Sequence, residues 1–170
     1  MNPIFVITDT LVDIPPKINT REDVRAIILN ESKILLMYSN TDQMYGTPGG
    51  GITLNESKLD TLYRELLEEV GGINVKIVEY FGQTEEIRLS RRTEKPVNIL
   101  TDYYHVDIQD YVNGSLEEHE EEMGLEPKWV PIDEAIRQNE SALKSRKDKF
   151  ITFFYTQTEI LKVVRDRFGL

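Results

Sequence analysis

Between Thr47 and Gly72 the chain reads TPGGGITLNESKLDTLYRELLEEVGG, and this stretch constrains the rest. A proline and three glycines open it, Gly71-Gly72 close it in the usual glycine stop, and the spacing between them predicts a helix. Leu59, Leu62, Leu66 and Val70 recur at helical intervals as one apolar stripe. With each residue advancing about 100°, Glu65, Glu68 and Glu69 share an arc of ~100° displaced from that stripe. Three acids held this close repel one another, and one or two divalent cations would supply the missing counter-charge. A solvated acidic face and a plain tight turn are each common. Turn and acids together, at fixed spacing, point instead to backbone carbonyls and carboxylates holding a hard metal ion. Thr53 followed by Glu56 fits a capping box for the helix start.

The remaining composition narrows the metal. The chain has no cysteine, which excludes disulfides, thiolate ligands and a cysteine nucleophile. His105 and His119 are its two histidines, too few for a zinc site built mainly from imidazole. Oxygen ligands remain, and they favour magnesium, manganese or calcium. The formal charge of −10 argues against non-specific binding to nucleic acid, and half of the excess sits in Glu117, Glu118, Glu120, Glu121 and Glu122. No secretory leader pattern is visible, and no apolar run approaches the ~20 residues that span a bilayer. The expectation is a cytoplasmic protein, without membrane or nucleic-acid partners, whose residues 1–170 form one domain.

Along the chain, residues 1–20 read as an N-terminal extension in which Ile4 to Ile7 is a strand, pairing either on a sheet edge or with a partner subunit. Val24 to Leu29 and Ile34 to Tyr38 read as a hairpin. Val75 to Phe81 and Asn98 to Val106 read as strands flanking a polar, basic tip from Glu85 to Lys95. The acidic run is a loop or short helix, Lys128 to Pro131 a strand and Ile132 to Asn139 a helix. The last helix, about residues 147–168, spaces Phe150, Phe153, Phe154, Ile160, Leu161, Val164 and Phe168 for one buried face. The order predicts a mixed sheet packed between helices, an α/β fold. The N-terminal strand and the basic tip are candidate elements of a homodimer.

The segment also resembles the Nudix box of the Nudix hydrolases. Gly50, five residues, Glu56, seven residues and then Arg64-Glu65-Leu66-Leu67-Glu68-Glu69-Val70-Gly71 match it at every fixed position. The departure is Gly72, where an aliphatic residue is usual; Ile73 follows and would fill the same slot after a one-residue slip. Arg25 to Leu29, Lys33 to Met37 and Trp129 to Ala135 extend the likeness weakly over residues 22–137. The resemblance implies an α/β/α sandwich and a metal-assisted attack of water on a nucleoside diphosphate linked to another group. It implies Mg2+ or Mn2+ on Glu65, Glu68, Glu69 and the Gly49 carbonyl, with Gly50, Glu56 and Arg64 orienting loop and helix. A further ligand or general base is expected from Glu118, Glu120, Glu121 or Glu122, with Glu122 favoured and then Glu121. Arg88, Arg91, Arg92 and Lys95 are candidate phosphate contacts, against a bland reading as a solvated tip. Tyr45, Tyr38 and Phe81 are candidate stacking partners for a base, against a bland reading as core. Nucleoside triphosphates, sugar nucleotides such as ADP-ribose and dinucleoside polyphosphates all remain as substrates. A non-catalytic sensor module with the same fold is the competing class, and the intact set of Glu65, Glu68 and Glu69 speaks against it.

Overall fold

The structure, a computed structural model, describes residues 2–10, 13–91, 93–116, 118–146 and 150–170. Its elements are β1 (Val6–Thr8), β2 (Asn19–Ile27), β3 (Leu29–Asn30), β4 (Lys33–Ser39), β5 (Met44–Gly46), β6 (Gly49–Gly51), α1 (Lys58–Val70), β7 (Gly72–Leu89), β8 (Pro96–Tyr111), α2 (Glu118–Glu122), β9 (Leu125–Pro131), α3 (Ile132–Ser145) and α4 (Ile151–Phe168). They build two sheets. A five-stranded mixed sheet runs β1-β7-β8-β2-β6, with β2 parallel to β8 and antiparallel to β6. In the second sheet β9 lies antiparallel along β4, while β3 and β5 pair with opposite ends of β4.

The predicted hairpin is divided between these sheets. β3 and β4 form the antiparallel turn, but β2 leaves at Ile28 to pair with β8, from Asn19↔Val97 to Ile27↔His105. The alternation along β2 explains how one strand serves two layers. Val24 and Ala26 pack with Leu62, Leu66 and Val70 of α1, whereas Ile27 packs with Ile160, Leu161 and Val164 of α4. β1 pairs parallel to β7 of its own chain, Val6 opposite Glu85, so the N-terminal strand completes an internal sheet edge.

Several boundaries differ from the sequence reading, and for β7 and α1 the physical reason is visible. Strand β7 continues through Leu89, so Glu85, Glu86 and Arg88 are strand residues and the tip shortens to about 90–95; Arg92 lies outside the described residues. The strand is hard to see because Thr84, Glu86 and Arg88, its inward-facing residues, are polar. Helix α1 starts at Lys58, capped by Ser57 and Asp60 rather than by Thr53 and Glu56. The Ser57 hydroxyl accepts from the Asp60 N–H and the Asp60 carboxylate accepts from the Ser57 N–H, both at 3.2 Å. Asn55, at a φ of 73°, breaks any earlier turn. Helix α4 is described from Ile151, and the expected start at Lys147 lies outside the described residues. Its buried side mixes Thr152, Thr156 and Gln157 with the predicted Phe154, Ile160, Leu161 and Val164, while Phe153 is half-buried. Among the described residues no helix is long and apolar enough to cross a membrane.

At the exit of α1, Gly71 is the left-handed C-cap, with its N–H on Leu66 and Leu67 carbonyls. Gly72 already belongs to β7, opposite Tyr111. A β-carbon there would lie 2.7 Å from Ile108 Cδ1, so Ile108 of the next strand packs against the space an aliphatic side chain would take.

Candidate active site

Strand β6 and helix α1 form the site by close approach. The three glycines are a short strand on β2 rather than an open turn, with Gly49 opposite Arg25 and Gly50 opposite Val24. Gly49 has a φ of 128°, and a β-carbon on it would fall 2.2 Å from the Val24 carbonyl oxygen; only glycine fits. At Gly50 a β-carbon would fall 2.4 Å from Glu65 Oε1, so the backbone lies directly against that carboxylate. The Gly49 N–H donates to Glu69 Oε2 at 2.6 Å. Loop and helix are thus held in register by the glutamates themselves.

Glu65, Glu69 and Glu120 each bring a carboxylate oxygen into a group whose members all lie within 4.8 Å of one another. Their residues are 9%, 6% and 8% exposed, which is low for three acids in one place. Burial pushes the Glu69 carboxyl well above its usual range, with Glu65 and Glu120 adding to the rise; Arg25 and the Gly49 N–H oppose it. Burial likewise raises Glu65, against the pull of Arg64. A hard divalent cation fits this donor set: it is all oxygen, it is short of positive charge, and its mutual repulsion is what a cation would relieve.

Arg64 orients the surround. Its Nε and Nη2 donate to the two Glu56 oxygens at 2.9 and 3.1 Å, and its Nη1 donates to Glu65 and Glu68, each at 2.9 Å. Those bonds, first the one from Arg64 and then those from Thr53 and Thr61, hold Glu56 at about 2. Glu56, placed by sequence in the capping box, is therefore the anchor of Arg64.

The structure brings together only some of the residues singled out by sequence. Glu65, Glu69, Gly49 and Gly50 meet; Glu68 stays on the rim, 29% exposed and ion-paired to Arg64. From the acidic run it is Glu120 that joins them, and Glu122, the favoured residue, is exposed. Glu117 lies outside the described residues. A five-residue helix explains the choice, since α2 turns one side inward and Glu120 alone among its glutamates is buried. Arg88 is not at a tip: it is 8% exposed and paired with Glu86 at 2.7 Å. Arg91 joins Arg146 on the Asp42 carboxylate. Tyr45 packs on Tyr38, and both line a cleft of about 380 Å³ with Lys128, Glu134, Arg137 and Gln138, which shares no residue with the acid group. Arg25, which the sequence marks only as the start of the Arg25 to Leu29 run and gives no site role, lies opposite Gly49.

Comparisons with known proteins place the chain in a family and a fold. The family model described as NUDIX domain matches residues 19–154. No curated protein matches the chain. Among solved structures, a NUDIX hydrolase from Nitrosomonas europaea is similar at 19% identity and a TM-score of 0.56, over 85% of this chain and 90% of that one. A UDP-X diphosphatase is similar at 17% identity and a TM-score of 0.51, over 79% of this chain and 68% of the other. The E. coli ORF135 protein shares 27% identity at a TM-score of 0.46, over 71% of this chain and 79% of its own. The first two share the fold. Matched by the family model along most of its length, with the fold to go with it, the chain belongs to the Nudix family and is a pyrophosphohydrolase.

Proposed function

We propose that the chain, as one domain over residues 1–170, uses Mg2+ or Mn2+ to cleave the pyrophosphate bond of a nucleoside diphosphate linked to another group. The substrate is a nucleoside triphosphate, a sugar nucleotide or a dinucleoside polyphosphate. The observation that carries this reading is the convergence of Glu65, Glu69 and Glu120 against Gly49 and Gly50.

Glu65, Glu69 and Glu120 would hold the cation, with Glu68 joining from the rim and the Gly49 carbonyl beside them. When bound, the ion supplies neutralisation of phosphate charge and a more acidic water. The chain's own residues do the rest. The Gly49 N–H fixes the Glu69 carboxylate. Arg64, locked on Glu56, keeps Glu65 and Glu68 from swinging away from one another. Water adds to one phosphorus, the bridging P–O bond breaks, and two phosphate-ended products leave. Without the cation the same carboxylates repel an anionic substrate.

A substrate panel with Mg2+, run on the wild type and on Glu69→Gln, tests this. The expected result is release of phosphate or nucleoside monophosphate that needs both the metal and Glu69, with a fall of roughly 100-fold or more in kcat/KM for the variant. Hydrolysis that survives chelation, or survives Glu69→Gln at full rate, would overturn the reading. In parallel, Mn2+ at ~100 times its dissociation constant should stabilise the wild type by about 2.7 kcal/mol and leave Glu69→Gln unmoved.

A further inference from the structure

The two sheets are joined by a two-residue crossing just before the acid group. Strand β5 belongs to the smaller sheet and β6 to the larger one, so the chain changes sheets at Thr47-Pro48 and delivers Gly49 on the far side. Both residues of the crossing are buried, Thr47 to 1% exposure. The proline keeps Thr47 extended and brings no N–H of its own. The polar groups that remain must find partners inside the protein.

Those partners are side chains as much as strands. Asn139 of α3 accepts from the Tyr45 N–H at 2.7 Å and donates to the Tyr45 carbonyl at 2.9 Å, standing where a further strand would lie beside β5. Gln157 of α4 accepts through Oε1 from both the N–H and the hydroxyl of Thr47, each at 2.9 Å. The Thr47 carbonyl accepts from Arg25 Nη1, and the Pro48 carbonyl accepts from the Ala26 N–H at 2.9 Å. The next backbone group along the chain is the Gly49 N–H, which holds Glu69. Gln157 lies on the buried side of α4 at helical spacing with Phe154, Leu161 and Val164, where a leucine would simply extend the core. A buried amide costs free energy unless it is bonded, and the bonds that Oε1 makes go to the crossing alone.

We propose that Gln157 is a positioning residue for the acid group. By fixing Thr47 it sets where Gly49 meets Glu69, and with it the spacing of the carboxylates that would receive the cation. This rests on the acid group being a divalent-cation site. From the Thr47 N–H to the Gly49 N–H each backbone polar group is bonded, and one of the three residues is proline. A shift at Thr47 therefore reaches the Glu69 carboxylate without passing a flexible joint. Gly49 has no slack to absorb it, since even a β-carbon there would fall 2.2 Å from the Val24 carbonyl oxygen.

Titration with Mn2+, following the electron paramagnetic resonance of the free ion well below the melting temperature, tests this without reference to turnover. Gln157→Met keeps the length of the side chain and removes the acceptor, and it should weaken Mn2+ binding about 10-fold or more. Thr47→Val removes the hydroxyl alone and should weaken it about 3-fold, while Thr47→Ser, which keeps the hydroxyl, should bind as the wild type does. Thr47→Val leaves the Thr47 N–H bonded, so the test stands even where Gln157→Met fails to fold. Ile160→Val, a core change on the same helix, should lower the melting temperature and leave Mn2+ affinity as it was. Wild-type affinity in Gln157→Met or in Thr47→Val would overturn the positioning role. An equal loss in Ile160→Val would overturn it too, by making the loss a matter of stability alone. A wild type that binds no Mn2+ would overturn the cation reading of the acid group, and this proposal with it.

Discussion

Gly49 and Gly50 are neighbours with different obligations, and substituting each should fail differently. In Gly49→Ala the methyl meets the backbone of β2 in a strained conformation, so the expected outcome is a lower melting temperature with or without metal. In Gly50→Ala the atoms nearest the methyl all belong to the Glu65 carboxylate, so the fold should persist while the acid group is displaced. A displacement of that size should cost about 100-fold in kcat/KM and abolish the Mn2+ melting shift. Should both variants melt alike and both retain activity, the close approach of loop and helix does not organise the site. At this scale the sequence is informative where spacing is rigid. Glu65 and Glu69 are fixed by the turn of one helix and the glycine spacing, so their meeting is legible. Glu120 comes from a separate short helix, and nothing local distinguishes it from Glu122 until α2 shows which side is buried.

Helix α1 owes its start to Ser57, and the consequence is measurable. Ser57→Ala should destabilise the protein by about 1 kcal/mol, read from denaturant midpoints. Thr53→Ala, one turn upstream, should cost less than about 0.5 kcal/mol. Equal losses would return the cap to Thr53. The misplaced cap shows why element boundaries were less legible than the element itself. Two overlapping capping patterns, Thr53 with Glu56 and Ser57 with Asp60, lie in one loop, and Arg64 decides between them by claiming Glu56. Strand β7 reads short in the sequence for a related reason. Periodicity arguments take the inward residue to be apolar, and along Thr84, Glu86 and Arg88 it is polar. The β-bulges between Ile77 and Glu79 and between Tyr80 and Gly82 further break the alternation.

Across the whole molecule, Asp42 ties distant parts together. It follows β4, and its carboxylate accepts from Arg91 in the β7–β8 turn at 3.2 Å and from Arg146 after α3 at 2.7 Å. Burial alone would raise its pKa, but the Arg146 hydrogen bond and the Arg91 charge outweigh that and hold it below the usual value. A depressed carboxylate stabilises the fold fully above its unfolded value, near 3.8, and loses that contribution as pH falls through the lower folded value. Asp42→Asn should therefore cost about 1–3 kcal/mol at neutral pH and flatten the acid limb of the melting profile. An unchanged acid limb would mean that the clamp contributes nothing. The mixed sheet was legible from the order of elements, but the pairing of β2 with β8 was not, because parallel neighbours leave no turn to read. That pairing joins residues 78 positions apart, and β4 pairs with β9 across 98 positions, Lys33 to Pro131. Neither sheet can close on a chain emerging from the ribosome until its second half has been made. Closing loops of that length comes before any contact rewards it, so refolding should proceed on the millisecond-to-second scale of non-local topologies. A chain ending before β9 would leave β4 with one long edge bare, and such an edge pairs readily with another copy of itself.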